Sequence, residues 1–242
     1  MDVSIDKILF FDIETAPIVE TMDELSDEMQ HLWEDKHKQL QIRQPERYAG
    51  DAATNWQQAG IYAEFARVVC ISVGFCYLGK DTEWHLRTKS FCGSDEKAIL
   101  ADFMELLGRF MISPYHNLCG HNIKEFDIPF VCRRALINGV TLPDCLQIAG
   151  KKPWELHFLD TMDLWKFGDN KAYTALKLLT AIFGIPTPKD DIDGSQVAGV
   201  YYQTKDLARI SVYCQKDVVA TTQVFLRLNG LPLIAEKNIE HT

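Results

Sequence analysis

Five residues in three separate stretches have the types and spacings of an acidic catalytic cluster. Asp12 and Glu14 stand two apart at the end of the apolar run Lys7-Ile8-Leu9-Phe10-Phe11. On a strand, that spacing turns both carboxylates to one face and Ile13 to the other. Asp127 closes the segment His121-Asn122-Ile123-Lys124-Glu125-Phe126-Asp127, where a turn carries polar groups into the start of a helix. Tyr213 and Asp217 are four apart in a helical pattern, so they share a face one turn from each other. Taken singly, each signal also fits something ordinary: a solvated strand end, a helix cap, a core tyrosine beside a surface acid. Together they point to hard oxygen ligands for Mg²⁺ or Mn²⁺.

The chemistry such a set serves is phosphodiester hydrolysis. That reaction needs a water made nucleophilic near neutral pH, a stabilised five-coordinate phosphorus and help for the departing oxygen. Two divalent ions about 3.5–4 Å apart supply all three. A phenol at Tyr213 titrates at about 10 when unperturbed, which suits orienting a nucleophile better than taking its proton.

The elements that must position these groups are legible from periodicity and turn residues. The apolar run before Asp12 predicts a buried central strand. From about 16 to 66 the character changes: Met22, Leu25, Met29, Leu32 and Trp33 recur at helical spacing among charges, and Gln39 to Gly60 is polar and poorly periodic. This reads as a partly helical insertion in a single domain spanning 1–242, with too few apolar residues to close a core alone. Arg67 to Tyr77, the turn at Gly79-Lys80-Asp81 and Glu83 to Arg87 predict a β-hairpin. Ser94 starts a helix with Ile99, Phe103, Leu106 and Phe110 as its buried stripe. A strand at Asn117 to Gly120 precedes a helix from about Glu125 to Asn138, and another strand at about Leu156 to Leu159 leads into helical pieces at Thr161 to Phe167 and Tyr173 to Phe183. The last helix runs from Asp206 to Leu228 and stops at Gly230 and Pro232. A meander of strands followed by alternating strands and helices makes the class α/β with a mixed sheet.

Composition bounds the rest. The 242 residues are 47% hydrophobic, enough for a substantial core. No apolar run approaches the roughly 20 residues that span a bilayer, and the early acidic residues Asp2 and Asp6 argue against a signal peptide, so neither membrane insertion nor secretion is expected. Seven cysteines without a C-x-x-C pair point to reduced thiols in a cytoplasm rather than to a zinc ribbon or disulfide frame. The net charge of −9 is unusual for a nucleic-acid binder. A site built on carboxylates and cations accounts for part of it, and it predicts weak grip on long duplexes.

The segments Phe11-Asp12-Ile13-Glu14-Thr15, Gly120-His121-Asn122 through Phe126-Asp127-Ile128-Pro129 with Arg133-Arg134-Ala135, and Tyr213-Cys214-Gln215-Lys216-Asp217 resemble, in this order, the three motifs of the DEDD exonuclease superfamily. Tyr213 in place of a histidine resembles the tyrosine (DEDDy) branch. The likeness is strongest to the proofreading 3′-5′ exonuclease domain of family B DNA polymerases, whose second and third motifs similarly read N-x-x-x-F-D-x-P and Y-C-x-x-D; ribonuclease D matches the flanking residues less well. The resemblance covers the chain apart from the insertion and implies a ribonuclease H-like fold: a five-stranded sheet of order 3-2-1-4-5, strand 2 antiparallel, with helices on both faces.

The resemblance further implies a stand-alone enzyme that uses two divalent ions, Mg²⁺ or Mn²⁺, to release nucleoside 5′-monophosphates from the 3′ end of single-stranded or frayed DNA. Asp12, Glu14 and Asp217 would hold the ion beside the attacking water, Asp12 would bridge to the second ion, and Asp127 would hold that ion partly through water. Tyr213 would orient the nucleophile. Thr15, Asn122 and Phe126 match positions that contact the terminal nucleotides, with Phe126 placed to stack on a base or to fill the core. RNA is an alternative substrate through the same chemistry, and a catalytically inactive nucleic-acid-binding adaptor is the alternative from another class. Protein partners are not indicated. Three further signals have plainer readings. Asp160 and Asp163 suit a helix cap, Asp190-Asp191 with Asp193 a solvated turn, and the pairs Arg133-Arg134 and Lys151-Lys152 an ordinary charged surface.

Overall fold

A computed structural model of the chain describes residues 4–169, 173–186 and 192–242. Asp190 and Asp191 lie outside the described residues; Asp193 caps a short 3-10 turn through its side chain. Strands β1 (Ile8–Pro17), β2 (Ala66–Leu78), β3 (Trp84–Cys92), β4 (Asn117–Gly120), β5 (Phe158–Asp160) and β6 (Ile239–His241) form one mixed sheet of order β5-β4-β1-β2-β3-β6. β1 is parallel to β4 and antiparallel to β2, as the 3-2-1-4-5 order requires.

The expected five strands are present with a sixth added at the β3 edge. β6 is only three residues long and polar, below what alternation can reveal. It is held by side chains as much as by its ladder. Arg87 Nε donates to Glu240 Oε2 at 2.8 Å, and Thr88 meets His241 Nδ1 at 2.9 Å.

Helices cover both faces. β1 residues Leu9, Phe11 and Ile13 point to the core beneath α2 (Glu96–Phe110) and α3 (Asp127–Ile137). Phe10 points to the opposite face, where Val218 and Phe225 of α7 (Leu207–Leu228) pack. Asp12 and Glu14 therefore lie on the α7 face by the alternation of the strand. The remaining helices are α1 (Asp27–Arg43), α4 (Thr161–Lys166), α5 (Leu176–Ile182) and α6 (Val197–Gly199), the last running into a π turn at Val200–Thr204. None of the described helices is long and apolar enough to cross a membrane.

Two local expectations change. β1 carries Asp12 and Glu14 as expected but does not end with them; it continues to Pro17, because β2 accompanies it along nearly its whole length. The segment after it gathers more apolar surface than its spacing suggests. Leu32, expected on the buried stripe, is half exposed, whereas Leu40, Tyr48 and Trp56 from the aperiodic stretch are buried around Trp33. Trp33 meets Trp56 and Phe65 edge to face with ring centroids 5.5 and 5.3 Å apart, so aromatic residues distant in sequence supply the closure that periodicity cannot show.

Candidate active site

The unequal lengths of the β1 neighbours create the site. β4 pairs only with Ile8, Leu9 and Phe10 and then ends at Gly120, while β1 runs on. Beyond Phe10 the β4 side of β1 lacks that ladder, and the amide of Ile13 there donates instead to Asp127 Oδ1 at 3.2 Å. A side chain from the start of α3 thus completes the edge of the sheet beside Asp12 and Glu14.

The chain reaches that position through a tight turn. Gly120 is packed so closely that a Cβ would stand 1.8 Å from Ile123 Cγ2 and 2.9 Å from the Phe11 carbonyl oxygen. Asn122 follows with φ +66°, a left-handed conformation that asparagine tolerates better than most residues. Buried Asp160 ties the turn down, accepting from the amides of Asn122 at 2.9 Å and Lys124 at 3.2 Å while capping α4 through Met162 N at 3.0 Å. His121 is held by Thr161 Oγ1 and the Thr174 carbonyl, both at 2.9 Å, so both its ring nitrogens are engaged.

From the other face, α7 brings Tyr213, Cys214 and Asp217. The Cys214 thiol donates to the Asp12 carbonyl at 3.4 Å and approaches Asp12 Oδ2 at 3.6 Å. Ligand atoms of Asp12, Glu14 and Cys214 all lie within 4.8 Å of one another. The Tyr213 phenol lies near Asp217, Glu14 and Asp12, whose charges act on it.

The electrostatics follow from gathering acids in a buried place. Burial first, then neighbouring acids including Asp217 and Asp127, push Asp12 and Glu14 well above the usual carboxylate range. Burial also raises Asp127 to about 7, against the lowering effect of its hydrogen bonds from backbone amides. Burial and then Asp217 raise the Tyr213 phenol, so it stays protonated. Hard oxygen donors held together against burial and mutual repulsion suit divalent cations; Asp12 and Glu14 bring carboxylate oxygens close enough to share one, with Asp127 and Asp217 near enough to perturb both.

The three substrate-contact candidates surround this cluster with their own attachments. Thr15 donates to the Gly60 carbonyl at 2.7 Å. Asn122 is fixed through its backbone, its carbonyl accepting from Phe126 N at 3.0 Å. Phe126 is half-buried, packs on the core and lies 5.5 Å from Phe130 between ring centroids, which gives it part of the core role that rivals stacking. Cys214 is the member of this cluster that the acid-and-phenol pattern leaves out. The available signal is its helical spacing: Ile210, Cys214 and Val218 form one buried stripe of α7, which turns the thiol toward the sheet and its carboxylates.

A family model described as a predicted 3′-5′ exonuclease related to the exonuclease domain of PolB matches residues 61–234. The match takes in Asp127, Tyr213 and Asp217 and begins after the strand that bears Asp12 and Glu14. Among solved structures, the chain is similar to the family B DNA polymerase from the hyperthermophilic archaeon Pyrobaculum calidifontis. The TM-score is 0.52 and the identity 16%, covering 91% of this chain and 24% of the polymerase chain. That likeness identifies the fold as ribonuclease H-like. No curated protein sequence matches the chain.

Proposed function

The chain belongs to a family of predicted 3′-5′ exonucleases related to the exonuclease domain of PolB, and from that premise we propose a metal-dependent enzyme that trims single-stranded or frayed DNA from its 3′ end, releasing nucleoside 5′-monophosphates. The observation that carries this reading is the convergence of Asp12, Glu14, Asp127 and Asp217, from three elements, on one acid-rich site.

Two divalent ions, Mg²⁺ or Mn²⁺, supply nucleophile activation and charge neutralisation at the phosphate when bound. The chain's own residues set the geometry. Asp12 and Glu14 present carboxylates from a strand stiffened on the β2 side. Asp127, fixed by the Ile13 amide, closes the site from the sheet edge. Tyr213, kept protonated, orients the water by hydrogen bonding and leaves proton removal to other groups. Thr15, Asn122 and Phe126 receive the terminal nucleotide, and Phe126 offers its exposed part for stacking, worth roughly 1–3 kcal/mol per base. The seven free thiols suit a reducing compartment such as the cytoplasm.

The test compares matched 5′-labelled DNA and RNA oligonucleotides in Mg²⁺ or Mn²⁺. DNA shortening stepwise from the 3′ end is expected, with Asp12→Ala inactive yet folded. Faster loss of RNA would overturn the choice of DNA, wild-type activity in Asp12→Ala would overturn the metal assignment, and an inactive wild type would favour a binding module.

A further inference from the structure

Past Glu14, the end of β1 leads to a cavity that the hydrolysis does not use. From Glu14 to Pro17 the strand advances about 10 Å. Ala16 shares one buried cluster with Val197, Ala198, Val200 and Cys214, so α6 and the π turn after it sit on the catalytic face. The Tyr202 hydroxyl fastens that turn to β1, donating to the Pro17 carbonyl at 2.6 Å. Beyond this contact opens a cavity of about 420 Å³, lined by Glu20 and Gln57 from the segment after β1 and by Ser195, Gln196, Tyr202 and Gln203 opposite.

Both sides are held in place. Gln57 Nε2 donates to the Glu20 carbonyl at 3.0 Å, and its turn, Trp56–Ile61, contains the Gly60 carbonyl that holds Thr15. Opposite, Gln196 Oε1 accepts from Asp193 N, and Asp193 Oδ1 from Ser195 N, each at 2.9 Å. The π turn at Val200–Thr204 is an irregularity frequent at functional sites. Gly199 opens the wall: a Cβ there would point into space, 3.9 Å from Gln203 Oε1.

The lining selects a class of ligand. It carries Glu20 and, among the described residues, no lysine or arginine, so a phosphate finds no counter-charge there. After their internal bonds Gln57 keeps a second amide hydrogen and Gln196 its amino group. With Gln203 they set donors and acceptors side by side, which is what the edge of a nucleobase presents. Tyr202, pinned at its hydroxyl and edge-on to Tyr201 at 4.9 Å, adds a fixed aromatic face of the kind on which any base stacks.

We propose that this cavity is a base slot: it takes one base of the bound strand upstream of the 3′-terminal nucleotide, stacked on Tyr202 and hydrogen-bonded at its edge by Gln57, Gln196 and Gln203. The strand is then gripped through a base as well as at its end, which suits a chain whose net charge of −9 offers little to the phosphates. The inference rests on the proposed action on single strands.

The experiment measures binding of fluorescently labelled single-stranded DNA to the full chain by anisotropy, with Ca²⁺ replacing Mg²⁺, and walks a single abasic site back from the 3′ end. For the wild type, one interior abasic position should weaken binding about tenfold or more, the loss of one stacked base. Gly199→Leu fills the slot at a residue with ordinary helical angles, φ −62° and ψ −44°; Gln203→Ala removes an edge contact. Both should bind the intact strand more weakly and lose less at the abasic position than the wild type does. Circular dichroism checks folding, and if Gly199→Leu does not fold, Gln203→Ala decides. A wild type indifferent to every interior base, or a folded variant that keeps the full abasic penalty, overturns the slot. The expected penalties in a wild type that digests neither DNA nor RNA in Mg²⁺ support the slot and refute the exonuclease reading; digestion without them does the reverse.

Discussion

Asp127 Oδ1 accepts the backbone amide of Ile13 at 3.2 Å, linking the first residue of α3 to the strand residue that separates Asp12 from Glu14. One oxygen of Asp127 is thereby committed to structure. Asp127→Asn keeps a carbonyl acceptor for Ile13 while removing the charge. Its melting temperature should match or exceed that of the wild type, and digestion of a labelled strand should slow by more than the roughly 10–100-fold typical of losing an outer-shell partner. Slower digestion accompanied by a large drop in stability would assign Asp127 to the fold alone.

Tyr213→Phe retains the ring and loses the phenol oxygen beside Asp217, Glu14 and Asp12. A water-orienting phenol predicts a fall in kcat of about 10–100-fold with KM little changed. An intact kcat in the phenylalanine variant would remove Tyr213 from the reaction.

Stability of the metal-free protein should fall as pH rises. Asp12, Glu14 and Asp127 titrate above their unfolded values, so the native state holds more protons than the unfolded chain. The associated stability is fully present below the unfolded value, about 4, and is lost through the folded one, about 7 for Asp127. Thermal melts in chelator should therefore give a higher Tm at about pH 5.5 than at about pH 8, and Mg²⁺ should recover the loss at the higher pH. A metal-free Tm that climbs over this interval would contradict the buried acidic cluster.

Arg134 is spent inside the protein. It grips buried Glu96 through Nε at 2.8 Å and its second nitrogen at 2.6 Å, and donates to the Ala63 carbonyl at 3.0 Å. Glu96 also accepts from Val68 N at 2.8 Å. Removing one partner leaves a buried charge, so Arg134→Ala should cost about 3–5 kcal/mol in urea denaturation. Weakened DNA affinity at unaltered stability would instead mark a phosphate contact.

Gly120→Ala places a methyl against the Phe11 carbonyl, which the sheet holds in place. Overpacking of this kind costs about 1–3 kcal/mol. Activity should fall with it, because the displaced turn carries Asn122 and leads to Asp127. A variant with wild-type melting and activity would show that the turn yields easily.

Most of this site was legible because its information is local. The alternation around Ile13 put Asp12 and Glu14 on one face, and the helical spacing of Tyr213 and Asp217 put them on another. Asp160 was legible as a cap for the same reason, and it also fastens a turn far away in sequence, which no local pattern records. The line from Glu14 through Cys70 to Cys92 depends on strand register, and the aromatic cluster about Trp33 on contacts across the segment, so neither has a signature in spacing. Asp127 is intermediate. Its motif was visible, whereas its bond to Ile13 follows from β4 being shorter than β1.

The register slip between Glu14 and Thr15 divides β1 into two lengths with different obligations. Glu14 pairs with Cys70 and Thr15 with Val68, so Val69 is an extra residue that resets the pleat just past Glu14. Beyond the slip Thr15, Ala16 and Pro17 pair with Val68, Arg67 and Ala66, while Asp12 and Glu14 keep their own phase against Ser72 and Cys70. The two lengths of β1 are thus separately registered, and the one that carries Asp12 and Glu14 does not take its side-chain orientation from the pairing that follows it.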